Sequence, residues 1–548
     1  MKRYISLFCI FFILTLTVAG CSLGNKESTI TFALENNLKN LDPALSNTEE
    51  SDIIVLHTFE GLTRVDKDGK TVPGAAYKWE KSQDGLKYTF YISKNAKWAD
   101  GKPVTAHDFE YAWKRALDPR IASENAFYLY YIKNAKGYNM SDYPDYKGTK
   151  YKRDDVGVKA LDDYTLEVTL ESPCAYWIDL TNLPVYMPVR KDVIEQYAQE
   201  WSRNESTYIG NGAYRITKWK ENSYIEMDVN KNYLHSANIK NTKIKWTLVA
   251  EDDTNVIDSF IKGKIDAALV PVPSDKILYF TADRKLTVSD LLKSYYLSYN
   301  VKKSPFDKPA VRKALSLAID RSELIHVAIE GVNKAAYGIV PFKVPGLDAQ
   351  KSFRTDSSEY NYIYPKADID KAKQYLAEAG YTDMKNFPQI ELIYEDVGNN
   401  RDIMQTIQAQ WQKNLGLSVK LVALDNNALK SKIEDGDFNI AAGSWNGEYN
   451  DPIAFLELWT SYSIFNITGW ASGEYDTFIQ NARASDDNKV RMPLLHNAEG
   501  LLMSSMPISP LFFEAEPVLA QNNLTGFVTS PYGYIYLHYA EKTANNKK

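Results

Sequence analysis

Cysteine is scarce: the 548 residues hold three, at positions 9, 21 and 174. Cys9 and Cys21 belong to the N-terminal segment, so the body of the chain keeps Cys174 alone and can form no internal disulfide. A chain of this length buries enough apolar surface to fold without such staples, and Cys174, in ESPCAYW, reads as a small packing residue. Histidine is sparse as well. His57, His107, His235, His326, His496 and His538 are dispersed, none in HExxH and no two four residues apart, which removes the strongest sequence support for zinc catalysis. No GxSxG elbow, P-loop or GxGxxG turn appears in a strand-to-helix setting. The acidic run Glu251-Asp252-Asp253 offers paired carboxylates for glycoside chemistry, but such runs are ordinarily solvated loops. Basic charge is in deficit, with 64 Lys and Arg against 70 Asp and Glu, and nucleic-acid binding needs a basic face. Internal repeats, low-complexity tracts and long linkers are missing too. The expectation is a chain that is not an enzyme, with no catalytic residues, metal, cofactor or nucleic-acid partner.

What is present begins at the N-terminus. Residues 1–20, MKRYISLFCIFFILTLTVAG, set Lys2 and Arg3 before an apolar run from Ile5 to Val18 and end in small residues, the pattern of a signal peptide. A transmembrane helix would want about 20 apolar residues and no cleavage-like end. Val18-Ala19-Gly20-Cys21 resembles the lipobox of bacterial lipoproteins, which implies lipidation of Cys21, with 21–28 as a polar tether. The folded body is then expected on the outer face of a bacterial cytoplasmic membrane, on its extracellular or periplasmic side. The 38 tyrosines and 11 tryptophans exceed what core filling requires; they suit a cleft that grips varied ligands or a scatter of rings over a large surface.

Period-two alternation over 30–34, 87–93, 164–170 and 223–229 predicts strands. Thr105 opens a predicted helix as N-cap, with Asp108 three residues on. Val311 to Gly331 places Val311, Leu315, Ala318, Ile319 and Ile325 near one face of a helix, and Lys366 to Gly380 ends in a glycine stop. The mixture predicts an α/β (mixed α+β) fold.

The segment Ala75 to Pro119 carries turn residues Asp84-Gly85 and Asp100-Gly101, the rings Trp98 and Trp113, and Lys102-Pro103-Val104-Thr105-Ala106. Leu41-Asp42-Pro43, Phe59-Glu60-Gly61-Leu62, Asn211-Gly212-Ala213-Tyr214 and Val311-Arg312-Lys313-Ala314-Leu315 follow the same pattern in order. Together they resemble the oligopeptide-binding lipoproteins of bacterial ABC importers, the extracellular solute-binding proteins of family 5. That resemblance implies a two-lobed periplasmic-binding-protein-like fold with a hinge and three domains from a discontinuous chain. The first-lobe core takes 29–59, 188–290 and 515–548, an additional first-lobe domain takes 60–187, and the second lobe takes 291–514. It implies a monomer that holds short peptides in extended form by main-chain pairing and passes them to permease subunits. A narrower ligand (a signalling peptide, cell-wall peptide, dipeptide or metal chelate) and a surface hydrolase are the rival readings.

Where family members have aspartate in W-x-x-D-Y/F-x-D-P, this chain reads Trp445-Asn446-Gly447-Glu448-Tyr449-Asn450-Asp451-Pro452. By carry-over Glu448 meets the peptide's α-amino group through a charge-assisted bond, although it also fits a surface turn. Asp451 and Pro452 read as N-cap and first helical residue. Main-chain partners are expected from Trp445, Asn446 and Gly447 in one lobe and from Leu269, Val270 and Val272 in the other. LVPVP, however, equally suits a buried crossover. Asn47 and Asn125 join the implied contacts, Asn125 where some relatives have tyrosine, and Trp470 is a candidate pocket wall. For the peptide's far end the matching positions are uncharged, Asn400 among them, and Lys303 and Arg401 beside them are the nominated cations.

Overall fold

The computed structural model describes residues 29–543 except 36, 37, 39, 250–254, 329–331, 348–350 and 357. The signal peptide, Cys21, the acidic run 251–253 and Gly331 therefore lie outside the described residues. Among the described residues, fourteen strands and the two-residue strand Lys334–Ala335 build the two larger sheets: β1 (Thr29–Glu35), β2 (Ala76–Lys81), β3 (Lys87–Ile92), β4 (Val158–Asp162), β5 (Thr165–Thr169), β6 (Tyr214–Lys220), β7 (Tyr224–Val229), β8 (Lys243–Val249), β9 (Ala267–Leu269), β10 (Leu286–Tyr299), β11 (Ile390–Glu395), β12 (Val419–Leu424), β13 (Ile440–Asn446) and β14 (Ile508–Ala520). All four predicted strands are present. In β3 the alternation is literal: Tyr88, Phe90 and Ile92 are buried while the residues between them are not.

A small antiparallel sheet, β2-β3-β5-β4, lies within the 60–187 segment. The large sheet runs β12-β11-β13-β10-β14-β9-β1-β8-β7-β6, with Lys334–Ala335 added against β14. Its middle is the pair of long strands β10 and β14, each continuing from one half of the sheet into the other. Their ladder breaks once in a way that matters. Asp290 faces Ala515 and the next pair is Ser294 with Phe513, so Leu291, Leu292 and Lys293 oppose Glu514 alone. Extra residues of this kind bend a strand and increase its twist.

Two main cores flank this crossing. One gathers Phe32, Phe59 and Trp246 and continues into Tyr449 and Phe455 after β13. The other gathers Leu297, Tyr299, Leu315 and Trp411. Among the helices are α1 (Glu49–Thr58), α2 (Ala106–Ala116), α3 (Pro309–Leu317), α4 (Arg321–Ala328), α5 (Ile369–Glu378) and α6 (Asn400–Leu415). Asp108 accepts the Thr105 N–H at 2.8 Å, as the α2 capping pattern predicts. The single helix expected over 311–331 is instead two, α3 and α4. The Arg321 N–H goes to the Pro365 carbonyl at 2.7 Å, and its buried guanidinium donates to the Pro510 carbonyl at 2.8 Å. Those tertiary bonds replace helix continuity, while all five predicted apolar positions stay buried. The α5 helix starts at Ile369 rather than 366 because the Asp368 side chain caps it.

Candidate functional site

The β13 strand pairs with β10 along its whole length, from Tyr299 opposite Ile440 to Lys293 opposite Asn446. On its other side β11 reaches only Ile440 and Ala441. Beyond Ala441 one edge of β13 is open. The Gly447 N–H donates to the Leu292 carbonyl at 2.6 Å, which fixes the parity of the antiparallel ladder. Alternate residues exchange bonds with the partner strand, so Gly443, Trp445 and Gly447 face β10. Ser444 and Asn446 turn their N–H and C=O toward the open edge, and both residues are exposed. This corrects the expectation for Trp445 to Gly447: of those three, Asn446 turns both its N–H and its C=O to the open edge, while Trp445 faces β10 and the Gly447 N–H is spent on Leu292. Ser444 joins Asn446 and is a residue that sequence reasoning missed.

The side chains nearby are held firmly. The Trp445 indole N–H donates to the Ala454 carbonyl at 2.9 Å, and its ring lies 5.0 Å from that of Phe465. Gly447 has no room for more: a Cβ there would sit 2.6 Å from Phe455 Cζ. Tyr449 stacks on Tyr176 at 4.2 Å. The Asp451 carboxylate accepts the Ile453 N–H at 3.1 Å and pairs with Arg491 at 2.6 Å; the short helix that follows starts at Ile453 with Pro452 as its N-cap, one residue later than expected.

Glu448 stands apart from this order. It is half-buried, and no hydrogen bond or cation holds its carboxylate among the described residues. Burial first, and then the neighbouring Glu457, push its pKa up to about 7. Glu457 itself is bonded by the Tyr449 hydroxyl and paired with Arg483 at 3.0 Å. The carboxylate left wanting a cation is thus Glu448.

Across from Asn446 lies a cavity of about 210 Å³ whose other wall includes Asn47, Thr48 and Glu49 at the start of α1, together with Asn125 and Tyr128. Thr48 is the N-cap of α1. The Asn47 amide donates to Glu124 at 2.9 Å, and the Asn125 amide braces the turn through the Ser46 carbonyl. Tyr128 is a second residue that sequence reasoning missed; its phenol feels the Glu448 charge.

The remaining nominees are not gathered here. Leu269 sits in β9, flanked by β1 and β14, and pairs with Leu34. Val270 and Val272 pack on a separate apolar cluster with Val256, Phe260 and Phe280. Their apolar side chains favour that cluster over a hydrated cleft, and the segment that lines the cavity with Asn446 is 47–49 rather than 269–272. Asn400 accepts the Tyr295 hydroxyl at 2.8 Å. Tyr295 lies opposite Ser444 and buries its ring in the second core, whereas Trp445 packs against the first. The start of α6, with Asn400 and Arg401, therefore covers the opposite face of the sheet from Trp445. Arg401 is engaged by Asp396 at 2.5 Å. Lys303 pairs with Asp437 at 3.5 Å, beside the beginning of β13, and seven residues of strand, roughly 20 Å, separate that end from Asn446. Trp470 is half-buried, edge-on to Tyr475 at 5.2 Å, outside this cavity. Cys174 is buried with its thiol pushed up to about 12 by desolvation, a setting that leaves it inert. No helix among the described residues is long and apolar enough to cross a membrane.

Residues 70–467 match the model of the bacterial extracellular solute-binding proteins, family 5 Middle. The oligopeptide-binding protein OppA of Bacillus subtilis is 33% identical over 561 residues, covering 98% of this chain and 99% of that protein. An unliganded open form of the periplasmic murein tripeptide binding protein MppA superposes with a TM-score of 0.82 at 28% identity, over 94% of this chain and 98% of that one. OppA of Haemophilus influenzae in complex with the peptide RPPGFSPFR gives 0.69 at 26% identity, over 94% and 99%. Over nearly its whole length, then, the chain belongs to the bacterial extracellular solute-binding proteins of family 5.

Proposed function

We propose that this protein captures short peptides in extended form between its two lobes, anchored by lipid at Cys21, and hands them to the permease of an ABC importer. The observation that carries the reading is the open edge of β13 running up to an unpaired carboxylate. Every peptide offers the same row of N–H and C=O groups, so pairing with Ser444 and Asn446 supplies affinity without reading side chains. Each such bond nets about 0.5–1.5 kcal/mol. Glu448 then fixes the register by taking the α-amino group that all unblocked peptides share. The name of the Bacillus relative supports peptides as the ligand class.

The lobes divide at 290/291 and 514/515 in this reading, and the break in the β10–β14 ladder at that level supports a hinge there. The decisive experiment is native mass spectrometry of the purified protein with a peptide mixture. Intact peptides recovered in complex support a receptor; newly formed fragments would make it a hydrolase. The tether has its own test. Cys21→Ser should release the full-length protein from membranes into the soluble fraction, and continued extraction only by detergent would remove the lipid anchor from the account.

A further inference from the structure

The wall of the cavity beside Asn446 is acidic beyond what one amino group needs. Asp52 is satisfied by the Ser46 hydroxyl and by the Tyr534 hydroxyl at 2.9 Å. Glu49, which lines the cavity, and Glu516, on β14 behind it, are not. Glu49 Oε1 and Glu516 Oε2 are buried without a hydrogen-bond partner among the described residues. They lie 2.8 and 3.1 Å from the point where a Cβ on Gly533 would stand, so the two oxygens are less than about 6 Å apart. The nearby cation, Lys293, pairs with Glu514 at 2.7 Å; its charge also reaches Glu49 and Glu516 without an ion-pair contact to either.

Desolvated carboxylates that face each other are costly unless a proton or a cation compensates them, and buried polar atoms left without partners call for an explanation. Burial, and then Glu516, push Glu49 up to about 9, and burial pushes Glu516 up to about 7. With no cation in contact, burial favours the protonated form of Glu49 in the empty protein. Tyr128 feels the charges of both Glu448 and Asp52, so the seat for the amino group and this acidic wall are neighbours.

We propose that the cavity is a pocket for a basic side chain, and that among peptides the receptor prefers those carrying lysine or arginine close to the amino terminus. The inference rests on the peptide reading above. Entry of an ammonium group into the cavity beside Glu49, with Glu516 behind it, releases a proton to solvent and forms no covalent bond.

The test is calorimetry at pH 7.5 on the mature protein with Ala-Ala-Ala, Lys-Ala-Ala, Ala-Lys-Ala and the two norleucine twins of the lysine peptides. At least one lysine peptide should bind ten-fold or more tighter than its norleucine twin, with proton release visible as a dependence of the heat on buffer ionisation. In Glu516→Gln that advantage should shrink several-fold while Ala-Ala-Ala keeps its wild-type affinity. If Ala-Ala-Ala binds and the lysine peptides do no better than their twins, the pocket is overturned and the peptide reading stands. If none of the five binds, both fall. Should Glu516→Gln fail to fold, the lysine and norleucine pairs on the wild type decide the matter alone.

Discussion

Glu448 carries one methylene more than the aspartate that the W-x-x-D pattern leads one to expect, and it follows a glycine whose Cα packs directly on Phe455. Because that acid has no cation of its own, its interaction with a bound ammonium is not offset by a broken ion pair. Glu448→Gln should therefore weaken free-amino peptides by roughly 1.5–3 kcal/mol, the scale of a hydrogen bond to a charged group, and leave amino-acetylated peptides unchanged. The pH dependence has a definite sign. The free carboxyl titrates at about 7, and a bound ammonium lowers that value, so below pH 7 binding must expel a proton. Affinity should be greatest just above pH 7 and fall up to about ten-fold per unit as pH drops below it. A second decline should begin near pH 8 as the peptide amine, of pKa about 7.7–8.0, loses its own proton. In Glu448→Gln the acid limb should vanish; its persistence in calorimetric titrations would assign the proton to another group.

At the scale of the element, the open edge of β13 makes a prediction that parity alone supplies. Asn446→Pro removes an N–H that faces the open edge and spends no ladder bond to β10, a position where proline is tolerated. Against Asn446→Ala, which keeps the N–H, the proline variant should lose about 0.5–1.5 kcal/mol of peptide affinity with a closely similar Tm. A lower Tm at unchanged affinity would mean that the Asn446 N–H belongs to β10. None of this was legible in the sequence, because the edge exists only where β11 stops after Ala441, and strand length in space is a tertiary fact. Local signals fared better. Alternation located β3 and β5, and Asp451-Pro452 marked a helix start one residue early. The apolar spacing from Val311 to Ile325 was also real, yet it concealed the break between α3 and α4, since burial continues through it and only the distant Pro365 and Pro510 carbonyls reveal it. The LVPVP segment misled for a related reason: the family places a ligand strand by topology, and its valines were free to join a core that no local pattern announces. Tyr128 had a weak signal, an aromatic three residues after Asn125.

For the whole molecule the question is how a ligand that touches β13 moves a lobe. The three residues that bulge from β10 opposite Glu514 include Leu292. Its N–H donates to the Pro531 carbonyl at 2.9 Å and its carbonyl accepts from Gly447. One residue at the bend thus connects the C-terminal segment beside the cavity to the strand expected to pair with the peptide. If the lobes divide there as proposed, bending at Leu291–Lys293 would change the angle between the two halves of the large sheet without cutting either, a hinge rather than a shear motion. A ligand can drive that motion only through contacts that improve on closure, namely those made at once to Asn446 or Glu448 and to the 47–49 turn. Small-angle scattering on the mature protein should therefore show a smaller radius of gyration at saturating peptide than without it. At a hundred times Kd the complex should also gain about 2.7 kcal/mol against unfolding. Glu448→Gln should need more peptide but reach the same compact limit if, as proposed, the carboxylate sets affinity and register while main-chain pairing spans the lobes. A variant that binds peptide yet never compacts would place the closing contacts on Glu448 itself, and scattering that stays constant in the wild type would separate capture from closure altogether.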